Sequence, residues 1–379
     1  MAGEELVSWA RSHGAFVSEK VAFLDPTANG DRVCRARAAI KEGECLLKLP
    51  RQLAFEVLIL PGSSGPLGVA VELLDGLRSR AACTSDSPAG KSLVVALLLY
   101  REQSRGKSSL FLPYLKCLPT AYPTMPSLDL QPPWSSGCSD GDHMDVTGSE
   151  DKPWMYRGTG VSLLARSGSA LATESGIAKM LEVIRDLDPK NKWWPPEPDQ
   201  SILKWAAASV QSRAHATKDG RTILIPLADA FNHSPSCPNA EVVQEDQTLE
   251  VRALSDISLE EEILICYGQF SNAELLFNAG FSCWPNEHDC ILLSPPALVA
   301  AAKQRWKCHG CAPPAELEQR TKLLLKDSSP LRLTASAPLL GAGIPASVVT
   351  LVVGLMLPED RWKLLLENGE GRGSVHELW

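Results

Sequence analysis

The chain has 379 residues, 44% of them hydrophobic and 22% charged, with a formal net charge of −8. That is enough apolar material for two or three cored domains. The acidic balance argues against wholesale nucleic-acid binding, which needs clustered lysine and arginine, and leaves a basic protein surface open as a partner.

No apolar run reaches the ~20 residues needed to span a bilayer; the most apolar late stretch, 346–357, stops at Pro358. The opening MAGEELVSWARSHGAF is acidic early and has neither an apolar secretory core nor a transit composition. The chain therefore reads as intracellular, cytoplasmic or nuclear, with no membrane partner. Its 11 cysteines are scattered and odd in number, which suits a reducing compartment. Cys308 and Cys311 in CHGC, with Cys283 and Cys290 upstream, could supply four zinc ligands. A second CxxC is missing and the spacing is loose, so idle or buried thiols are favoured and no metal is expected.

Leu6, Trp9, Ala10 and Phe16 predict a helix over 4–20. The segment 28–60 is β-rich, with two short strands flanking the turn Lys41-Glu42-Gly43-Glu44 and Pro50 ending the second. Helices are predicted over 66–78 and 91–106. The second, in KSLVVALLLYREQS, is apolar nearly all round and belongs inside. The tract 123–152, rich in Pro, Ser, Gly and Asp, reads as a loop or disordered insert. Helical patterning returns over 159–187, and PKNKWWPPEPDQ punctuates it.

From Ser201 the pattern changes. SILKWAAASVQSRAH predicts a helix, and RTILIPLADAF a strand running into Asn232 and His233. AEVVQEDQTLEVRALSDI predicts a hairpin, and SLEEEILICYG a turn and strand. SNAELLFNAGF predicts a helix with N-cap Ser271, a capping box through Glu274 and an end near Gly280. Beyond about 294 the chain is Ala/Leu-rich and helical. There is no βαβ alternation, and no GxGxxG follows a strand, which argues against a doubly wound dinucleotide fold.

Singly, the polar residues of the second half have structural readings. Asp229 could cap a helix, Asn232 and His233 could satisfy a buried turn, and Tyr267 could be a core tyrosine with its hydroxyl at the edge. Their ordered combination points elsewhere. The RSRAH helix end, IPLADAFNHS, a hairpin, EEILICYG and SNAELLFNAGF together resemble the C-terminal half of a SET domain. More closely, the chain resembles the Rubisco large-subunit methyltransferase-like class of protein methyltransferases. AIKEGECLLKLPRQLAF at 39–55 is similar to that class's N-terminal SET strands, and SLFLPYLKCLP to a segment of its inserted helical region.

The resemblance implies an α+β SET fold of short strands with a knot-like crossing. Its SET domain would span 1–293: N-terminal strands at about 28–60, a helical insert at about 66–200 containing the 123–152 loop, and a C-terminal part at about 201–293. Residues 294–379 would form a shortened α-helical substrate-binding lobe. The implied activity is transfer of a methyl group from S-adenosyl-L-methionine to a lysine of a substrate protein, by a monomer. Tyr267 matches the catalytic tyrosine. Asn232, His233, Arg213 and Asp229 match cofactor-holding positions, joined by Arg35, Gly280 and Phe281. Phe270 and Trp284 are candidate walls of the substrate channel.

Two departures bear on the target. Ala279 stands where the family often has a second tyrosine. His215 stands where lysine-directed members tend to carry an aromatic or apolar residue, and a histidine-directed branch carries a polar residue that contacts the target imidazole. A protein-histidine methyltransferase of the same fold is therefore the second reading. A SET-fold protein-binding module with weak catalysis is the third, and the retained Tyr267, Asn232, His233 and Arg213 argue against it.

Overall fold

The computed structural model describes residues 2–27, 32–56, 69–83, 88–129, 161, 163–164, 171–217, 220–308, 316–317, 319–320, 331–334 and 346–367. Most of the 123–152 tract lies outside the described residues, as does Cys311.

The first helix, Ala2–Ser12, buries Leu6, Trp9 and Ala10. It stops well short of residue 20, because Gly14 takes a left-handed φ of 88° and turns the chain into strand β1, Phe16–Val17. Phe16 is 52% exposed, so its helical spacing from Trp9 was accidental.

The central sheet is antiparallel, in the order β1, β4 (Cys45–Pro50), β9 (Thr248–Ala253) and β8 (Ala240–Gln244). β8 and β9 form the expected hairpin, with Ala240 opposite Ala253 and Gln244 opposite Leu249. The two strands around Lys41–Glu44 do not pair with each other. β3 (Arg32–Ala36) pairs with β2 (Val21–Pro26), while β4 pairs with β1 and β9. The turn between them is instead tied to the second half of the chain. Ile40 bridges Ile257, and the Gly43 N–H donates to the Ala253 carbonyl.

The inserted region supplies helices Val71–Cys83, Pro88–Arg105, Glu174–Leu187 and, at its end, Gln200–Arg213. Leu93 through Tyr100 are all buried, as their unbroken apolar run requires. Gln200–Arg213 starts where the Asp199 carboxylate accepts the Ser201 and Ile202 N–H groups, and it packs on Pro88–Arg105. Its last residue is Arg213, so capping and packing of this helix set where that guanidinium stands.

The strand expected over RTILIPLADAF is broken. β6 (Thr222–Ile223) pairs with β5 (His215–Ala216), and Leu224 bridges Phe55. Leu227 then adopts a φ of 70°, and Ala228–Ala230 form a 3-10 turn before β7, Asn232–His233. A leucine held there costs about 1–3 kcal/mol and persists only where its surroundings over-determine it. Leu227 is fully enclosed by the core. β7 runs parallel to β10, Leu264–Ile265, with Asn232 beside Leu264 and His233 beside Ile265.

Asn272–Ala279 begins with the expected capping box, Ser271 with Glu274, and ends at Gly280 with φ 79°. A Cβ at Gly280 would also come within 2.5 Å of Thr124 Oγ1. The main core runs from Leu6 to Ile265. A second, smaller core joins Val299, Ala302, Leu317, Leu331, Leu351 and Leu355. β11 (Cys290–Leu293) pairs with β12 (Leu331–Thr334), and Leu293 packs on that second core. The strand just before residue 294 thus belongs with the tail by packing. Among the described residues no helix is long and apolar enough to cross a membrane.

Candidate active site

The parallel pairing of β7 with β10 brings three distant stretches together. Asn232 Nδ2 donates to Glu262 Oε1 at 2.8 Å and reaches the Arg32 carbonyl at 3.5 Å. Arg35, on β3, forms a backbone bridge with Glu262. Its side chain is occupied by the Glu260 carbonyl at 3.1 Å and by Asp25 at 3.7 Å. Asn232 and Arg35 therefore meet at Glu262, which lies within EEILICYG but was not itself named as a site residue.

His233 ends β7, and Tyr267 lies two residues beyond the end of β10. The Tyr267 N–H donates to His233 Nδ1 at 3.1 Å, and the two rings stack with centroids 4.9 Å apart. Phe281 meets both rings edge-on, at 6.2 and 6.4 Å. The Tyr267 hydroxyl donates to the Phe231 carbonyl at 2.7 Å. Burial pushes its pKa up to about 12, so it keeps its proton at neutral pH. With that proton committed to a carbonyl, the phenol oxygen offers lone pairs to whatever approaches.

Tyr267 also lines a cavity, together with Arg213, His215, Asp229, Phe270, Glu274 and Ala279, among others. Its total empty space is about 540 Å³, including its opening to solvent. Arg213 Nη1 donates to the Asp229 carbonyl at 2.9 Å and lies 3.5 Å from the Asp229 carboxylate. Burial works against the Arg213 charge, but Asp229 together with Tyr122, Tyr114 and Tyr267 outweighs it, so the guanidinium stays protonated. Burial likewise raises the Asp229 carboxyl, against the pull of Arg213 and Tyr114. The Tyr114 hydroxyl donates to Asp229 Oδ2 at 2.9 Å. The Asp229 carboxylate is thus engaged by protein partners, and it fixes Arg213. Glu274 is spoken for as well, by Ser271 at 2.7 Å and by Arg332 at 2.7 Å.

His215 lines the cavity two residues past Arg213. Burial lowers its pKa to about 4, so it is a neutral imidazole at pH 7. Gly280 ends its helix against Thr124 and Met125. Trp284 is not among the cavity-lining residues: it is 90% exposed, because the chain turns outward after Phe281. The sequence reading also passed over Tyr114, which lies in the quoted SLFLPYLKCLP, and Asn272, whose side chain anchors the following loop. Neither sits in a local pattern that marks its long-range partner.

Three solvent-shielded nitrogens around Tyr267 have no partner: Arg213 Nε, His215 Nε2 and His233 Nε2. Buried donors are almost always bonded, so such a cluster suits groups supplied from outside the chain. An elongated polar ligand carrying a carboxylate fits this set, with Arg213 as the carboxylate's partner. Among the described residues no group of three His, Cys, Asp or Glu is placed to hold a metal ion.

The family model for the SET domain matches residues 31–268. The actin-histidine N-methyltransferase of Xenopus tropicalis is 28% identical over 298 residues, 76% of this chain and 44% of that protein. The protein SET DOMAIN GROUP 40 of Arabidopsis thaliana is 24% identical over 311 residues, 74% of this chain and 56% of that protein. The chain thus spans about half the length of these curated relatives, 44% and 56%. The SET domain of LSMT, solved with lysine and AdoHcy, superposes with a TM-score of 0.61 at 16% identity, over 99% of this chain and 74% of that one. Rubisco LSMT bound to AdoMet gives 0.60 at 17%, over 99% and 74%. At such identities the likeness to the solved structures is one of fold, and it agrees with the short strands, parallel crossing and helical insert seen here. With the family match covering more than half of its length, this chain belongs to the SET-domain family.

Proposed function

We propose that this chain is an S-adenosylmethionine-dependent protein methyltransferase that methylates a lysine of another protein. The observation carrying this reading is the placement of Tyr267, which stacks on His233 at the strand crossing and also lines the cavity. Tyr267 thereby joins the Asn232–His233 segment to the cavity that Arg213 also lines.

Asn232, His233 and Arg213 would hold the donor, with Arg35 and Phe281 at its margin, Gly280 shaping the helix end nearby and Asp229 positioning Arg213. The bound cofactor would supply a methyl group already activated on a sulfonium. The protein's task is then to align an acceptor nitrogen within ~3–3.5 Å of that carbon and to present it uncharged. Ordinary lysine carries a proton, with a pKa near ~10.4, so the site must disfavour the ammonium. The carboxylates around the cavity are neutralised in advance, Asp229 by Arg213 and Tyr114, and Glu274 by Arg332. An ammonium entering there gains no free anion and loses water, which shifts it toward the neutral amine. The lone pairs of the Tyr267 oxygen then orient the amine and accept weak C–H contacts from the methyl group.

The histidine reading draws support from the same cavity. Ala279 leaves room where an aromatic ring would narrow it, and His215 offers an unpartnered Nε2 to a second imidazole. The actin-histidine methyltransferases among the relatives point the same way. In either reading, residues 294–379 would serve as a substrate-gripping lobe.

The test is incorporation of labelled methyl groups into peptide libraries centred on Lys or on His. Label on lysine supports the first reading, and label on histidine the second. Cofactor binding with label on neither overturns both.

A further inference from the structure

The stretch LRLT at 331–334 alternates apolar and polar side chains. As strand β12 it sends Leu331 and Leu333 to one face and Arg332 to the other. Leu331 and Leu333 join the second core. Arg332 reaches across to the SET domain. Its Nη1 donates to Glu274 Oε1 at 2.7 Å, and its Nη2 donates to the Gln269 carbonyl at 3.1 Å. One planar fork thus ties the tail to the helix Asn272–Ala279 and to the segment between Tyr267 and Phe270.

Tyr267, Phe270 and Glu274 all line the cavity, and Arg332 is not itself a lining residue. Glu274 Oε2 also accepts the Ser271 N–H and hydroxyl, at 2.7 and 2.8 Å. Those bonds orient the carboxylate without cancelling its charge; Arg332 supplies the cation. The Glu274 side chain is 16% exposed, so water screens that charge poorly. The other groups around it are settled. Arg213 is paired with Asp229, His215 is neutral and Tyr267 keeps its proton. On β11, burial pushes the Cys290 thiol up, so it stays uncharged, and the neighbouring Asp289 carboxylate is held by Asn272. The charge of this wall therefore turns on a residue of the tail.

We propose that Arg332 is a positioning residue through which the tail sets the charge of the cavity wall: docked on Glu274, it keeps that wall from attracting a cation, so that the acceptor enters as the uncharged amine. This rests on the methyltransferase reading for the identity of the acceptor. A bare Glu274 would hold the lysine ammonium and retain the proton that must leave to water before the nitrogen can take a methyl group. A plain strut between the two cores would make the same ion pair, and the two roles part over which partner is removed. For a strut, losing either partner does the same harm. For charge control the effects have opposite sign, because Arg332→Gln leaves an anion on the wall and Glu274→Gln leaves a cation beside it. Gln at 274 still accepts from Ser271, so the capping box persists.

The experiment uses the full chain. It follows the pH profile of methylation of a Lys-centred peptide library and, separately, the binding of n-butylammonium as a probe of the cavity, by NMR titration. Arg332→Gln is expected to slow methylation roughly tenfold at neutral pH, to move the rising limb of the profile up by about one pH unit, and to bind the probe roughly tenfold tighter. Glu274→Gln should move neither the limb nor the probe affinity in that direction. The double variant should return both toward wild type, and Arg332→Lys should retain them. Equal losses in Arg332→Gln and Glu274→Gln with an unmoved profile would overturn the proposal, as would probe binding indifferent to Arg332→Gln. Tighter probe binding in Arg332→Gln, with no methylation of the library even by wild type, sinks the lysine-methylation reading and leaves the charge role of Arg332 standing.

Discussion

The ring of His233 lies nearly parallel to that of Tyr267, with centroids 4.9 Å apart, and its Nδ1 accepts the Tyr267 backbone N–H. A nitrogen that accepts carries no proton, so the hydrogen of the neutral ring resides on Nε2. Burial lowers the His233 pKa and keeps it in that form at neutral pH. One hydrogen bond between strand ends thus sets the tautomer and leaves a shielded donor, Nε2–H, free for a ligand.

Tyr267→Phe separates binding from chemistry. The ring, its stack on His233 and the backbone N–H all survive, while the hydroxyl proposed to act on the transferring group is lost. Cofactor affinity by calorimetry should stay within about twofold, and kcat should fall about tenfold or more in single-turnover assays. Equal turnover would remove Tyr267 from the catalytic role.

Asn232→Ala strips a donor from Glu262 and from the ligand side of β7. Loss of a buried hydrogen bond to a charged group costs about 1–3 kcal/mol, so the S-adenosylmethionine Kd should rise about 5- to 150-fold. An unchanged Kd would reduce the residue to a tie between strands.

Tyr114→Phe leaves the aromatic packing with Phe55 in place and deletes the hydroxyl that donates to the buried Asp229 carboxylate. Urea unfolding should show a loss of about 1–3 kcal/mol. Arg213 loses part of its support, so cofactor affinity should weaken too. A variant as stable and as tight as wild type would show that Arg213 alone suffices for Asp229.

His215 makes stability depend on pH. Its folded pKa, about 4, lies below the ordinary value of 6.5, so the unfolded chain takes up a proton first as pH falls. Stability from this group is complete above about pH 6.5 and is lost as pH drops toward 4, to a limit of about 3 kcal/mol. Urea midpoints measured from pH 7.5 to 4.5 should decline in wild type and less steeply in His215→Asn. Parallel profiles for the two would place the acid sensitivity elsewhere.

Much of the architecture was legible because it is written locally. The capping box of Ser271 and Glu274, the glycine stop at Gly280, the hairpin 240–253 and the buried helix through Leu93–Tyr100 each follow from short-range chemistry that needs no distant partner. The ordered motifs around Asn232, His233 and Tyr267 pointed to the SET fold for the same reason, since their spacing is a property of the chain.

Tertiary structure alone decided the rest. The break at Leu227 violates local preference and is held only by the surrounding core. The engagement of Asp229 depends on Tyr114, 115 residues away, and that of Asn232 on Glu262 across the crossing. Whether an aromatic residue walls a cavity or stands in solvent, as with Phe270 and Trp284, is set by which way a loop turns and what pins it. Periodicity and composition record what a residue prefers. Pairing and burial at a site depend on which distant group arrives there, and only the folded chain settles that.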